Sequence, residues 1–81
     1  MRKPDPEDLL AHMGRVVQLH FWDGYVVEAL LLSIDPDALG TELIYDVVKV
    51  IDMGALDPNK VRWDAFHACS LAGLKGWQLL D

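Results

Sequence analysis

Cysteine is almost absent from this chain of 81 residues, in which Cys69 is the single example. One thiol cannot form an internal disulfide, so the stability of the fold has to come from packing or from assembly. A chain without disulfides suits a reducing compartment, and we expect a cytoplasmic protein. No apolar segment follows Arg2-Lys3, and no apolar run approaches the length of a membrane span. The sequence therefore predicts neither a signal peptide nor a membrane partner.

Basic residues are also scarce. Lys and Arg together number 7, against 13 Asp and Glu, which gives a formal net charge of −6. Apart from Arg2-Lys3, the basic residues are scattered along the chain. Because affinity for phosphate backbones depends on Lys and Arg, this composition makes RNA a disfavoured partner.

Signatures of catalysis and of metal binding are missing as well. The sequence contains neither a Gly-x-Ser-x-Gly nucleophile motif nor a glycine-rich phosphate loop, so we predict no enzymatic activity and no catalytic residue. The candidate metal ligands are His20, His67 and Cys69, fewer than the four that zinc usually takes in recognisable pairs. We predict no metal site and no cofactor, with Cys69 as a small core residue and the histidines at a rim or an interface.

Apolar residues, in contrast, are abundant. They make up 52% of the chain, and the mean hydropathy is +0.15. A domain of this size buries only about 60–65% of its unfolded surface, yet several predicted strands are apolar on both faces. This excess predicts an interface between copies of the chain, with another protein as the alternative partner.

The strongest local signal is the pair Asp23-Gly24, which lies between two runs typical of β-strands, 16–22 and 25–34. Asp-Gly favours a type I′ turn, in which both central residues have positive φ. We therefore predict a β-hairpin here, to which the rest of the chain adds further strands.

Residues 5–14 are predicted to form a short helix. Asp5 is a suitable N-cap, and Gly14 a suitable stop. Leu9, Leu10 and Met13 fall on one face, which we expect to dock on a sheet.

The whole chain, 1–81, is predicted to be a single mainly β domain, in which the barrel occupies 15–81. The second strand should bend near Ala29, a small residue in mid-strand, and a 3₁₀ turn should precede the last strand. Five antiparallel strands with such a bend can curl into a small barrel. The predicted strands are 15–22, 25–34, 41–52, 61–70 and 75–80. Alternation of side chains gives one face of the first strand as Val17, Leu19 and Phe21, and one face of the third as Leu43, Tyr45, Val47 and Ile51.

This order resembles the Sm-like (LSm-type) family, in which an N-terminal helix lies over a strongly bent five-stranded barrel. Residues 19–35 are similar to the first Sm motif, although Ala29 stands where the family has Gly. The residues assigned to the structural part of this motif are Phe21, Asp23, Gly24, Val27, Ala29 and Asp35.

The RNA-reading part of the family's motifs is different in this chain. Leu39 stands where the family has an Asn that contacts the base, and Ser70, Leu71 and Gly73 replace residues of the second motif. Sm-like proteins form closed rings, so the resemblance implies a homo-oligomeric ring of about five to seven subunits. Because the RNA-reading residues differ, we expect this ring to act as a scaffold or protein-interaction module. A divergent single-stranded RNA-binding protein is the alternative function.

Aromatic residues near the hairpin are the candidate ligand-binding residues. Trp22, Tyr25 and Trp63, in the same aromatic set as Trp77, could lie on a rim and stack against bases or peptide side chains. Packing between subunits is the other interpretation, and it is the one we favour because basic neighbours are few.

Overall fold

Helix α1 covers Pro6–Leu10 in the computed structural model. Asp5 is its N-cap, as predicted, and the backbone N of Glu7 donates a hydrogen bond to Asp5 Oδ1 (3.0 Å). The helix is shorter than predicted because the hydrogen bonds of the next turn span three residues instead of four. Gly14, with a φ of 81°, then leads into the first strand. The described part of the chain comprises residues 1–37, 40–54 and 67–80.

Strand β1 spans Val16–Phe21 and strand β2 spans Val26–Asp37, so the hairpin forms at the predicted Asp23-Gly24 pair. The predicted type I′ turn is wrong, because Gly24 has a φ of 90° while every described residue other than glycine has a negative φ. The Gly24 amide donates to the Phe21 carbonyl (3.1 Å), which gives a three-residue loop. Only the glycine of such a loop needs the left-handed region.

Strand β3, Gly40–Asp52, pairs with β2 through a ladder that contains three register shifts. Each shift leaves one residue without a cross-strand partner, namely Leu32, Val48 and Ile51. All three have exposed side chains. One shift lies beside Ala29, the position predicted for the bend, and bulges of this kind bend a strand.

The bulges also correct the predicted faces of β3. Leu43 and Tyr45 are buried, as one face of an alternating strand requires. Ile51 was expected on that face but is exposed, while Val50 packs against the core in its place. The reason is the extra residue at Val48, because a one-residue insertion exchanges the two faces from that point on.

Strand β4, His67–Ser70, is followed by a 3₁₀ turn at Leu71–Gly73 and by strand β5 at Leu74–Leu79. The Ser70 hydroxyl caps the turn by accepting a hydrogen bond from Ala72 N (3.3 Å). The turn and the last strand lie where they were predicted. Of the predicted strand 61–70, the part 61–66 lies outside the described residues.

The five strands form one antiparallel sheet in the order β4-β3-β2-β1-β5. The predicted mainly β fold, with one short helix and five antiparallel strands, is confirmed. The sheet is barrel-like, but hydrogen bonds do not close it, since no ladder joins β4 to β5 in the described part. Among the described residues, no helix has the length and apolar character needed to cross a membrane.

The core lies between the concave side of this sheet and α1. Alternate residues of β1, Val17 and Leu19, are fully buried, as predicted. Leu9 docks on the sheet and Met13 packs beside it, but Leu10 is 61% exposed, so the predicted docking face of the helix was too wide. The buried set is Leu9, Val17, Leu19, Tyr25, Val27, Ala29, Leu31, Leu43, Tyr45, Leu74 and Trp77.

Candidate functional site

Trp22 stands at the tip of the β1–β2 hairpin, with 67% of its surface exposed. Its backbone N donates to Gly73 O (3.3 Å), which ties the hairpin to the 3₁₀ turn. The Nζ atom of Lys75 lies 5.9 Å from the centroid of the Trp22 ring, within the range of a cation–π contact. The rim thus offers an exposed aromatic face with a cation beside it.

Tyr25 does not join Trp22 on this rim. It is only 5% exposed, and its ring packs on Phe21 with the centroids 5.4 Å apart. Burial, assisted by the negative charge of Asp23, raises the pKa of the Tyr25 hydroxyl. Tyr25 is therefore a core residue. Trp63 lies outside the described residues.

The hairpin tip is held by contacts that involve the motif residues. Asp23 Oδ1 accepts a hydrogen bond from Tyr25 N (3.0 Å), which fixes the loop after its turn. Gly54 lies against this loop so closely that a Cβ atom there would be 2.5 Å from Tyr25 N. The sequence analysis did not predict this close approach of Gly54, which follows the end of β3 by two residues.

The remaining motif residues divide between core and surface. Val27 and Ala29 are fully buried in β2, whereas Asp35 is exposed near the end of that strand. Asp35 lies opposite Glu42 of β3, so two like charges face each other across the ladder. This end of the sheet is acidic, which does not favour a phosphate ligand.

A polar cluster lies on the outer face of β1 and β5. His20 Nε2 lies 2.7 Å from Gln18 Oε1, and Gln78 Nε2 donates to the same oxygen (2.8 Å). Partial burial, together with the positive charge of Lys75, lowers the pKa of His20. A neutral imidazole that donates to Gln18 fits this arrangement.

Cys69 occupies the inner side of β4 and is half-buried. Burial, with the carboxylate of Glu42 as the second cause, raises the pKa of its thiol to about 12. A protonated thiol is a poor nucleophile and a poor metal ligand. The part of the chain that the structure describes contains no group of three or more His, Cys, Asp or Glu side chains that could hold a metal ion, and the His67 side chain lies outside it.

The edge of β5 that faces away from β1 is occupied by residues from the start of the chain. Trp77 N donates to Arg2 O (3.0 Å), and Arg2 N donates to Trp77 O (2.7 Å). The indole Nε1 of Trp77 also donates to Lys3 O (3.1 Å). Sequence reasoning placed Trp77 among the aromatics of interest but missed these contacts. Gly76 in mid-strand was the available signal, because such glycines mark a close backbone approach.

The ring of Trp77 is fully buried between two basic side chains. The guanidinium carbon of Arg2 lies 5.3 Å from the centroid of the ring, and the His12 ring meets it edge-on at the same distance. Arg2 Nη1 is in turn 2.8 Å from Asp8 Oδ1. The start of the chain, helix α1 and β5 are therefore joined through one side chain.

The opposite edge of the sheet is β4, which pairs with β3 from Glu42↔Ser70 to Tyr45↔His67. Its other side bonds to no strand in the described part. Ala68 and Ser70 of this strand have exposed side chains. The outer edge of a strand presents a row of backbone donors and acceptors, which is a template for a further strand.

A shallow apolar groove of about 240 Å³ lies between α1 and the end of the β2–β3 pair. Leu10, the exposed helix residue, forms one wall, and Ile34 and Pro36 form the other. Among the described residues its polar lining consists of Glu7 and Thr41, and the rest of the lining is apolar.

No family model matches this chain, and no curated protein or solved structure is significantly similar to it.

Proposed function

We propose that this protein is a divergent Sm-like small barrel that assembles into a homo-oligomeric ring of about five to seven subunits. The ring acts as a scaffold or protein-interaction module without catalytic activity. The observation that carries the proposal is the open sheet, whose two outermost strands, β4 and β5, are not bonded to each other in the described residues. The N-terminal helix and the 3₁₀ turn before β5 also support the resemblance.

The two edges are complementary in the way that a head-to-tail assembly requires. They lie on opposite sides of one sheet. The β4 edge of one copy can therefore pair with the β5 edge of the next copy, so that every copy uses both of its edges. This pairing covers the open edge of β4, which otherwise favours aggregation. Repetition of one such interface closes into a ring when the rotation between copies permits it.

The exposed apolar surface also supports the proposed assembly. The three bulge residues Leu32, Val48 and Ile51 each expose an apolar side chain on a protein of 9.1 kDa. Assembly would bury part of this surface, and each Å² of apolar area removed from water contributes about 25 cal/mol.

Light scattering coupled to size exclusion tests the proposal. We expect a single species with a mass about five to seven times the 9.1 kDa of one chain. Hydrogen exchange should slow on assembly in peptides from β4 and β5, because their edge amides become bonded. A 9.1 kDa monomer from micromolar to millimolar concentration contradicts the proposal, and so does protection confined to other strands.

The rim at Trp22 favours a second function, the binding of single-stranded RNA. An exposed tryptophan can stack on a base, and Lys75 lies where it could meet a neighbouring phosphate. A fluorescence titration with oligo-U and oligo-A at low salt tests this function. We expect binding to be lost in Trp22→Ala and retained in Trp22→Phe, whereas no binding by the unmodified protein eliminates it.

A further inference from the structure

Residues Met1–Lys3, called the strap below, run along β5 and are held by several independent contacts. Two backbone hydrogen bonds join Arg2 to Trp77, and the Trp77 indole bonds to Lys3 O. The Arg2 guanidinium lies over the Trp77 ring and reaches Asp8. The strap therefore pairs with β5 of its own chain through a single β-bridge. Trp77, the largest buried side chain of the described core, anchors this bridge.

The strap depends on a glycine in β5. A Cβ atom at position 76 would lie 2.8 Å from Arg2 O and 2.7 Å from Met1 Cγ. Gly76 does not have a positive φ, so its backbone alone does not require glycine. Its lack of a side chain is explained by the strap that lies against it.

The strap occupies the position that a second copy would need. Strand β4 has four residues and β5 has six, Leu74–Leu79. Any four consecutive residues of β5 include Trp77. A full-length ladder between β4 and β5 therefore needs the N–H and C=O groups of Trp77, which Arg2 already holds.

We infer that the strap is an autoinhibitory segment that competes with β4 of a second copy for the β5 edge, so that assembly requires its release. This inference rests on the proposed function and adds a means by which assembly is regulated. When only the open form can assemble, the apparent affinity falls by the fraction of molecules that are open. Loosening the strap should then move assembly to lower concentration.

Gly76→Ala is the most direct test, since the three atoms nearest to the added methyl group all belong to Met1 and Arg2 of the strap. Side chains are ordinary on paired strands, so the substitution leaves β5 able to accept β4. Gly73→Ala is the matched control, because a Cβ atom at that position meets nothing within 4 Å. Arg2→Ala is a second variant, which removes the contacts to Asp8 and to the indole face. Its control, Lys3→Ala, removes one positive charge and keeps the carbonyl that bonds to Trp77.

Two measurements separate release from assembly. Hydrogen exchange of the Trp77 indole N–H reports release, and sedimentation velocity over a concentration series reports assembly. We expect Gly76→Ala and Arg2→Ala to speed indole exchange and to lower the concentration of half-assembly about tenfold, while both controls match the unmodified protein.

The failures of the two proposals give different results. If the unmodified protein assembles and the strap variants release the indole without changing its assembly, the inference is overturned and the ring survives. Unchanged indole exchange in Gly76→Ala also overturns the inference, because the collision on which it depends is then absent. If every variant remains monomeric to millimolar concentration, the proposed function itself fails.

Discussion

The two edges of this sheet are built differently. Strand β5 is integrated into the core through Trp77, which is fully buried and contacts Arg2 of the strap and His12 of the turn after helix α1. Among the side chains of β4 that the structure describes, Cys69 is half-buried and lies between the exposed residues Ala68 and Ser70. One edge is thus anchored and covered, and the other is lightly attached and open within the described residues.

This difference matters for the proposed assembly, which requires both a stable domain and an available strand edge. An uncovered edge on both sides would invite uncontrolled strand addition, whereas two covered edges would prevent assembly. Here the cover of β5 is a segment of only three residues, so we expect its release to leave most of the core in place. The stability of the domain should therefore depend on β5 far more than on β4.

The largest expected effect is that of Trp77→Ala. Removal of a fully buried tryptophan leaves a cavity and also releases Arg2 and His12, so we expect a loss of about 3–5 kcal/mol in the free energy of unfolding. Domains of this size are stabilised by only about 5–10 kcal/mol, so the variant should be close to unfolding. Urea denaturation followed by circular dichroism measures the change.

Trp77→Phe separates the volume of the side chain from its hydrogen bond. It retains an aromatic ring in the core but lacks the N–H group that donates to Lys3 O. We expect a smaller loss of about 1–2 kcal/mol, from the hydrogen bond and the reduced volume. A loss below about 0.5 kcal/mol for Trp77→Ala would show that β5 is not the anchored edge.

On the other edge, Cys69→Ala should cost only about 1 kcal/mol, because the thiol is small and half-buried. The same urea denaturation measures it, with Ala68→Ser on the exposed side of β4 as a control expected within about 0.5 kcal/mol. Native-state hydrogen exchange gives a second comparison, in which β4 amides should exchange faster than those of β5. If Cys69→Ala costs as much as Trp77→Ala, the two edges are equally integrated and the contrast is lost.

Features with a local cause could be predicted from the sequence. The Asp5 cap, the hairpin at Asp23-Gly24 and the 3₁₀ turn before β5 each depend on a few neighbouring residues. The alternation of β1 was equally clear because that strand pairs with β2 without a bulge. These signals were sufficient for the number and order of the described elements.

Features that depend on cross-strand register could not be predicted. The bulge at Val48 exchanges the faces of Val50 and Ile51, and no property of those residues announces it. The turn type at Asp23 likewise depends on how the flanking strands pair. The bond between Arg2 and Trp77 joins the two ends of the chain, and local patterns carry no information on such pairs. The contacts of the strap with β5 could not be predicted for this reason, because they exist only after the sheet has formed.

The smallest effect concerns pH and lies on the anchored side of the sheet, at His20. Burial and the charge of Lys75 lower the pKa of His20 in the folded protein below the 6.5 of an unperturbed histidine. Well above pH 6.5 the imidazole is neutral in both states and contributes no pH dependence. Below pH 6.5 the unfolded chain binds the proton first, so the free energy of unfolding should fall as the pH falls through 6.5 toward the folded pKa. His20→Gln should reduce this loss in denaturation measured between pH 7.5 and 5, and Lys75→Gln should raise the His20 pKa in an NMR titration. A His20 pKa at or above 6.5 would instead mean that burial and Lys75 do not disfavour the charged imidazole in the folded protein.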